Sequence, residues 1–316
     1  MGAGFVSGRE IASYFSVFKG YSILGIVIAM VLLFLLTKLF FKLSEKTNTF
    51  SGFVNNYFGS GGKVINWLLG LCLFILISSM FAGSMALSKT INFNEILFAI
   101  ITASACYFVV VGNLKLLENI NIVLVPIIIL VLAIVCGLHS TLPSGFEGGF
   151  NDLILSITCS TNYVLMNIVT LGLLILETGH EYTKKEATWV SIISSLIIGI
   201  LLFICNAAIM KYGVKDTALP VLAIATCKGF ATWAITAITI WIGLFTTIIS
   251  CVFVLSRFLS NYIKNLKLNV FIILIFTLLF SMCGFVIMVS YVYWVIGIVG
   301  LIIILNVVRK EMRPKF

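Results

Sequence analysis

Apolar residues run through this chain in long blocks, and short polar patches between the blocks hold most of the Lys, Arg, Asp and Glu. A helix needs roughly 20 apolar residues to cross about 30 Å of hydrocarbon. Nine blocks reach or approach that length: 20–43, 64–88, 94–111, 116–138, 153–176, 188–210, 230–259, 270–289 and 291–308. Ahead of them stands 2–18, shorter and more polar, with the look of half a span. The pattern predicts an all-α polytopic membrane protein of about ten spans, the first one cut short. No connecting segment is long enough to hold a soluble domain, so residues 1–316 read as one transmembrane domain.

Charge placement gives the orientation. With the C-terminus placed in the cytoplasm, the alternate segments on that side carry Lys38, Lys42, Lys46, Lys63, Lys115, Lys184, Lys185, Arg257, Lys264, Lys267, Arg309, Lys310, Arg313 and Lys315. The opposite side carries Lys19, Lys89, Lys211, Lys215 and Lys228, and Arg9 sits in the first segment. Fourteen against five is the bias expected of cytoplasmic loops. It also supports the span count, because one missed span would scramble the alternation. The outer segments 139–152 and 212–228 read as loops, with a short helix on the outer face at 219–227.

Composition adds one exclusion. The chain is 61% hydrophobic and only 10% charged, where soluble domains carry roughly 25% charged residues. A bilayer accommodates helices that are apolar all round; a soluble exterior does not. The net charge of +9 follows from the cytoplasmic loops, and no basic stripe with interleaved aromatics points to nucleic acid. The lipid bilayer is the expected partner; oligomeric state is not fixed. The eight cysteines form no CxxC pair and read as small apolar residues. His180, His139 and the run 179–186 read as solvated loop residues.

Polar and flexible positions inside the blocks carry the functional reading, because irregular backbone at membrane depth is tolerated only when buried in protein or lining a cavity. The first is Gly2-Ala3-Gly4-Phe5-Val6-Ser7-Gly8-Arg9-Glu10. Its three glycines and serine argue against a plain helix, and unwound backbone here leaves N–H groups for a carboxylate. Close helix packing through small residues accounts for the same glycines. Arg9 and Glu10 are adjacent, point about 100° apart and cannot pair face to face. At least one of them needs another partner, unless the two snorkel to the interface as charges. The second patch is Thr158-Cys159-Ser160-Thr161-Asn162-Tyr163, read as an unwound or cavity-lining stretch, or as hydroxyls bonding between helices. The third is Gly243-Leu244-Phe245-Thr246-Thr247 with Ser250, where hydroxyl and carbonyl oxygens suit Na⁺ or bond back to their own helix.

The opening GAGFVSGRE closely resembles the GAGF-[AV]-SG-[QR]-E motif of YkvI-type bacterial membrane proteins, grouped as amino-acid permeases of the amino acid–polyamine–organocation superfamily. The span pattern, the Ser160–Asn162 patch, Ala218-Leu219-Pro220 and Phe245-Thr246-Thr247 are similar too. The resemblance implies the leucine-transporter fold: two inverted repeats of five helices, here about 1–138 and 152–308, with the first and sixth spans broken around a solute. It implies solute contacts from Gly2, Ala3, Gly4, Ser7, Gly8, Ser160, Asn162 and Tyr163, and a Na⁺ site at Gly243, Thr246 and Thr247. It implies a multi-pass protein of the bacterial cytoplasmic membrane with its C-terminus inside. It implies a gating or coupling role for Arg9 or Glu10. The resembled proteins carry a further half-span before this motif, so the position of Met1 implies either a start site assigned too late or a first span that is truncated.

The expected function is secondary transport of a small zwitterionic solute, such as an amino acid, coupled to Na⁺ or H⁺. No cofactor is expected beyond Na⁺ as a coupling ion. A ligand-sensing receptor on a permease fold, binding without transport, is the alternative. No HExxH, GxSxG or intramembrane Asp pair points to an enzyme.

Overall fold

The computed structural model describes residues 3–47, 50–112, 115–137, 149–260 and 262–312. Among them the secondary structure is entirely helical. In chain order the helices are α1 (Ala3–Ser7), α2 (Arg9–Tyr14), α3 (Tyr21–Thr47), α4 (Phe50–Phe58), α5 (Gly62–Thr90), α6 (Glu95–Gly112), α7 (Lys115–Gly137), α8 (Phe150–Thr178), α9 (Lys184–Tyr212), α10 (Pro220–Thr226), α11 (Phe230–Leu259), α12 (Leu266–Ser281), α13 (Phe285–Ile287) and α14 (Tyr293–Glu311). A single π-helical turn, Met288–Val292, joins the last two.

Seven helical stretches are long and apolar enough to cross a membrane: Tyr21–Thr47, Gly52–Thr90, Glu95–Gly112, Phe150–Leu176, Lys184–Tyr212, Phe230–Leu259 and Phe285–Glu311. Two shorter apolar stretches are Leu124–Gly137 and Leu266–Ser281. The chain is therefore a polytopic α-helical membrane protein. Its outward faces agree, with Leu35, Phe108, Ile200, Ile238 and Leu305 all exposed on such helices.

Polar caps mark the helix ends. Thr183 and Glu186 form a reciprocal capping box at the start of α9, with the Thr183 amide donating to Glu186 Oε2 at 2.8 Å. Asn265 caps α12 by accepting from the amides of Lys267 and Leu268. Gly213, at φ 64, closes α9 in the left-handed conformation that side chains resist.

One expected boundary moves. The pattern puts the turn between the last two spans near Ser290, but the chain turns at Met282–Gly284, where Gly284 takes φ 89. Ser290 lies inside the π turn, and its hydroxyl is spent on neighbouring side chains. A serine that is satisfied within the protein does not need to end a span.

The helices sort into two groups. On one side α3 packs on α8 and α9, and α14 packs on α8; on the other α5 packs on α6, α11 and α12. α7 touches both α9 and α11, bridging the groups. The α8–α14 crossing is close because Gly300 faces the backbone of Leu165, where a Cβ would come within 2.9 Å of the carbonyl carbon. Small residues at such crossings let helices approach without a hydrophobic drive from lipid.

Candidate functional site

The first segment is a discontinuous helix, buried from Gly4 to Phe15 except at half-buried Ser13. α1 ends at Ser7, and Gly8 swings into the left-handed region at φ 80, ψ −2. A side chain there would be strained in conformation and crowded by space: a Cβ would lie 2.8 Å from Val221 Cγ2 and 3.2 Å from the Val221 amide nitrogen. Ser7 stitches the break. Its hydroxyl donates to the Gly4 carbonyl at 2.8 Å and accepts from the Arg9 amide at 3.2 Å. The expected unwinding across Gly2, Ala3, Gly4, Ser7 and Gly8 is thus concentrated at Gly8, with Ala3–Ser7 helical; Gly2 lies outside the described residues.

The break sits on the seam between the two helix groups. α1 packs against α11, α10 and α5, whereas α2 packs against the π turn, α9 and α8. Beyond α2 the chain turns at Phe15 and Lys19 before α3 begins. A buried chain of side-chain bonds holds this turn on α9: Ser16 donates to Asn206 Oδ1 at 2.8 Å, and Asn206 Nδ2 donates to the Ser22 hydroxyl at 2.9 Å.

Arg9 and Glu10 are both buried and face different partners. The Arg9 guanidinium donates to the carbonyls of Lys215 at 2.9 Å and Thr217 at 3.1 Å, and to the Ser290 hydroxyl at 3.1 Å. Ser290 also pairs with Ser13 at 3.1 Å. Arg9 therefore ties α2 to the α9–α10 connection and to the π turn, which is the kind of rigid fork that Lys cannot reproduce. A snorkelling role does not fit, because the group bonds to protein carbonyls and is only 8% exposed. Glu10 folds back over α1: a Cβ on Gly4 would collide with its carboxylate. Its Oε2 has no hydrogen-bond partner, and neither does the hydroxyl of Tyr14, one helical turn along.

Aromatic rings pack around the end of α2, one turn beyond Glu10. Tyr14 lies 5.9 Å from Tyr163 of α8 and 6.3 Å, stacked, from Trp294 of α14, while Phe15 meets Tyr163 edge-on at 5.1 Å. Tyr293, whose hydroxyl pairs with Ser79, is within electrostatic reach of the Glu10 carboxylate, as are Tyr14 and Tyr163.

The second patch departs from expectation. α8 runs unbroken through Thr158, Ser160, Asn162 and Tyr163. The hydroxyls of Thr158, Ser160 and Thr161 donate to the carbonyls of Ile154, Ser156 and Ile157 on their own helix, so no unwinding is needed to satisfy them. The intact helix also sends the candidates in different directions. Tyr163 reaches α2, Asn162 packs where a Gly297 side chain would stand on α14, and Ser160 packs against Gly25 of α3. The structure brings Tyr163 to Tyr14 and Phe15, at the end of α2, and leaves Ser160 against α3.

In α11, Thr246 and Thr247 both donate to the Gly243 carbonyl, at 3.2 and 2.8 Å. The hydroxyl protons are used, but the oxygen lone pairs are not, and α1 packs on this helix. The donor set is all oxygen, as a hard cation requires. The outer helix predicted at 219–227 exists as α10, yet it does not lie on a surface. Val221, Leu222, Ile224 and Ala225 are buried, and α10 plugs the space beside Gly8. Next to it opens a cavity of about 760 Å³, bordered by Met85 and Lys89 of α5, Thr217, Leu222, Trp233 of α11 and Phe285. Thr217 thus joins the cavity wall to the Arg9 fork. His180 and Glu181 are exposed in a 3-10 turn, and among the described residues no cluster of His, Cys, Asp and Glu could hold a metal ion.

Sequence reasoning missed Tyr14, Ser79, Asn206, Ser290 and Tyr293. Tyr14 was within reach, since the i, i+4 spacing puts it on the face of Glu10. Ser290 carried no signal of its own, because nothing in the pattern foretells the π turn that aims it at Arg9. No protein-family profile matches this chain, and no curated protein matches it.

Proposed function

We propose that this protein is a secondary transporter of a small zwitterionic solute, such as an amino acid, driven by a Na⁺ or H⁺ gradient. The reading rests on one observation: the buried first helix breaks at Gly8, where it passes from one helix group to the other, and presents Glu10 with an unpartnered oxygen. An ionisable side chain in that setting is costly and points to a solute or ion path. Because α1 packs with one group and α2 with the other, rocking of the groups bends the chain at Gly8 and alternately opens the two sides. The cavity beside α10 is the outer approach in the orientation set by the Lys and Arg count, and Arg9 gates it.

In this reading the chain is a YkvI-type permease with ten spans in two inverted repeats, about 1–138 and 152–308. The sorting of helices into two groups supports it; the continuity of α8 runs against a paired break in the second repeat. Gly2, Ala3, Gly4 and Gly8 supply backbone to the solute, and Tyr163 closes over it. Gly243, Thr246 and Thr247 hold the coupling cation if the coupling is to Na⁺. The reading also puts the chain in a bacterial cytoplasmic membrane with its C-terminus inside.

The test is uptake of labelled amino acids by proteoliposomes under an inward Na⁺ gradient, an inward proton gradient, or neither. Accumulation above equilibrium under one gradient supports transport. A Na⁺ effect that disappears in Thr247→Ala supports the cation site. Saturable binding without accumulation under any gradient contradicts transport and assigns a sensing role.

A further inference from the structure

Two buried oxygens of α2 lack hydrogen-bond partners: Oε2 of Glu10 and the hydroxyl of Tyr14. The residues are 3% and 1% exposed, and their four-residue spacing puts them on one face. The Nη1 and Nη2 groups of Arg9 are committed to Lys215, Thr217 and Ser290 and give these oxygens no hydrogen bond; its Nε is buried without a partner as well. The ion pairs seen among the described residues, Lys46–Glu311 and Lys89–Glu95, do not involve Glu10. Ring faces complete the surroundings, with Tyr14 set between Tyr163 and Trp294. Such a cluster offers a carboxyl oxygen, a hydroxyl oxygen and π-faces.

Resting on the transporter reading of this same region, we infer that Glu10, Tyr14 and Tyr163 form the subsite for the ammonium group of the solute. A primary ammonium carries N–H donors and no acceptor, which complements a carboxylate oxygen and a hydroxyl oxygen that need donors. It also gains from aromatic faces, which a carboxylate does not. A solute carboxylate at this spot would face Glu10 and be repelled. A bare alkali cation asks for more oxygens than these two. The solutes taken are therefore small molecules with a primary amine, and at this subsite their carboxylate is dispensable.

The experiment uses the purified full chain in detergent and follows thermal unfolding. The probes are the standard amino acids, each beside its decarboxylated amine and its deaminated acid, with sodium chloride alone as a further arm. At least one amino acid and its amine should raise the melting temperature, and the matching deaminated acid should not. Glu10→Gln should weaken that binding at least ~30-fold, as expected for loss of a buried charge-assisted bond. Glu10→Asp, which keeps the charge, should retain part of it. The unliganded Glu10→Gln protein should melt no lower than wild type, which separates lost binding from lost folding. The inference fails if a deaminated acid binds as well as its amino acid, if Glu10→Gln keeps full affinity, if sodium chloride alone reproduces the shift, or if no amine-bearing probe produces one. Uptake that survives in Glu10→Gln leaves the transporter reading standing and removes this subsite. Amine-dependent binding without accumulation in vesicles does the reverse.

Discussion

Replacing Gly8 by alanine tests the break in the first helix by separating two costs. The first is conformational: at φ 80, ψ −2, an L-residue with a Cβ is disfavoured by about 1–2 kcal/mol. The second is crowding, since the new methyl would stand 2.8 Å from Val221 Cγ2 and 3.2 Å from the Val221 nitrogen, both inside ordinary contact distance. Overpacking of this kind costs about 1–3 kcal/mol. Together they predict that Gly8→Ala destabilises by about 2–5 kcal/mol. Gly213 provides the matched control, because it shares the left-handed conformation at φ 64 but has nothing within 4 Å of its would-be Cβ. Gly213→Ala should cost only the conformational part, about 1–2 kcal/mol. The assay is SDS-induced unfolding in mixed micelles, followed by circular dichroism and run as a double-mutant cycle with Val221→Ala. The second substitution should return roughly 1 kcal/mol of coupling, and no more, because the Val221 backbone stays in place. Full rescue by Val221→Ala, or a Gly8→Ala protein within about 0.5 kcal/mol of wild type, would mean that Gly8 is not left-handed and that the helix runs through it.

Other substitutions probe the remaining parts. Arg9→Lys replaces a fork that reaches three acceptors by a single ammonium, and should cost about 1.5–3 kcal/mol in the same unfolding assay; an unchanged stability would show that the fork does not form. Gly300→Ala pushes a methyl against the rigid Leu165 carbonyl of α8 and should cost about 1–3 kcal/mol, whereas Gly70→Ala, with its nearest neighbour at 3.7 Å, should be tolerated. At the far end of α14, Glu311 accepts from Lys46 at 2.5 Å and from Tyr57 at 2.7 Å. The pair with Lys46 is partly exposed, so Glu311→Gln should cost no more than about 1 kcal/mol; a larger loss would make this clip a main support of α4.

The helices were legible because lipid imposes length and apolarity together, and the runs at 20–43, 94–111, 188–210 and 230–259 each coincide with one helix. The turn at Gly284 was not, because the chain there stays apolar and its change of direction lies in one glycine's backbone angles. At Gly2–Gly8 the glycine cluster correctly suggested an interrupted helix, but it could not say which glycine carries the break. Gly8 carries it, packed where a side chain would meet Val221, a residue of α10 more than two hundred positions away. The patch at Thr158–Tyr163 misled for a related reason. Hydroxyls look expensive in lipid when read along the sequence, yet each one can bond to the carbonyl of its own preceding turn and leave the helix whole. Arg9 and Glu10 were visible as charges at membrane depth, whereas what distinguishes them, the bonds of Arg9 to Lys215, Thr217 and Ser290 and the unpartnered oxygen of Glu10, is set only by the fold.

The central claim, that a solute passes beside Glu10 at the Gly8 break, is tested most directly by counterflow. Vesicles loaded with an unlabelled amine-bearing solute are diluted into a trace of the labelled one, for wild type and for Glu10→Gln reconstituted at equal density and shown to melt alike. The account predicts transient accumulation of label above equilibrium in the wild type and none in Glu10→Gln. Equal counterflow in both proteins, or no counterflow in the wild type with any such solute, would contradict it.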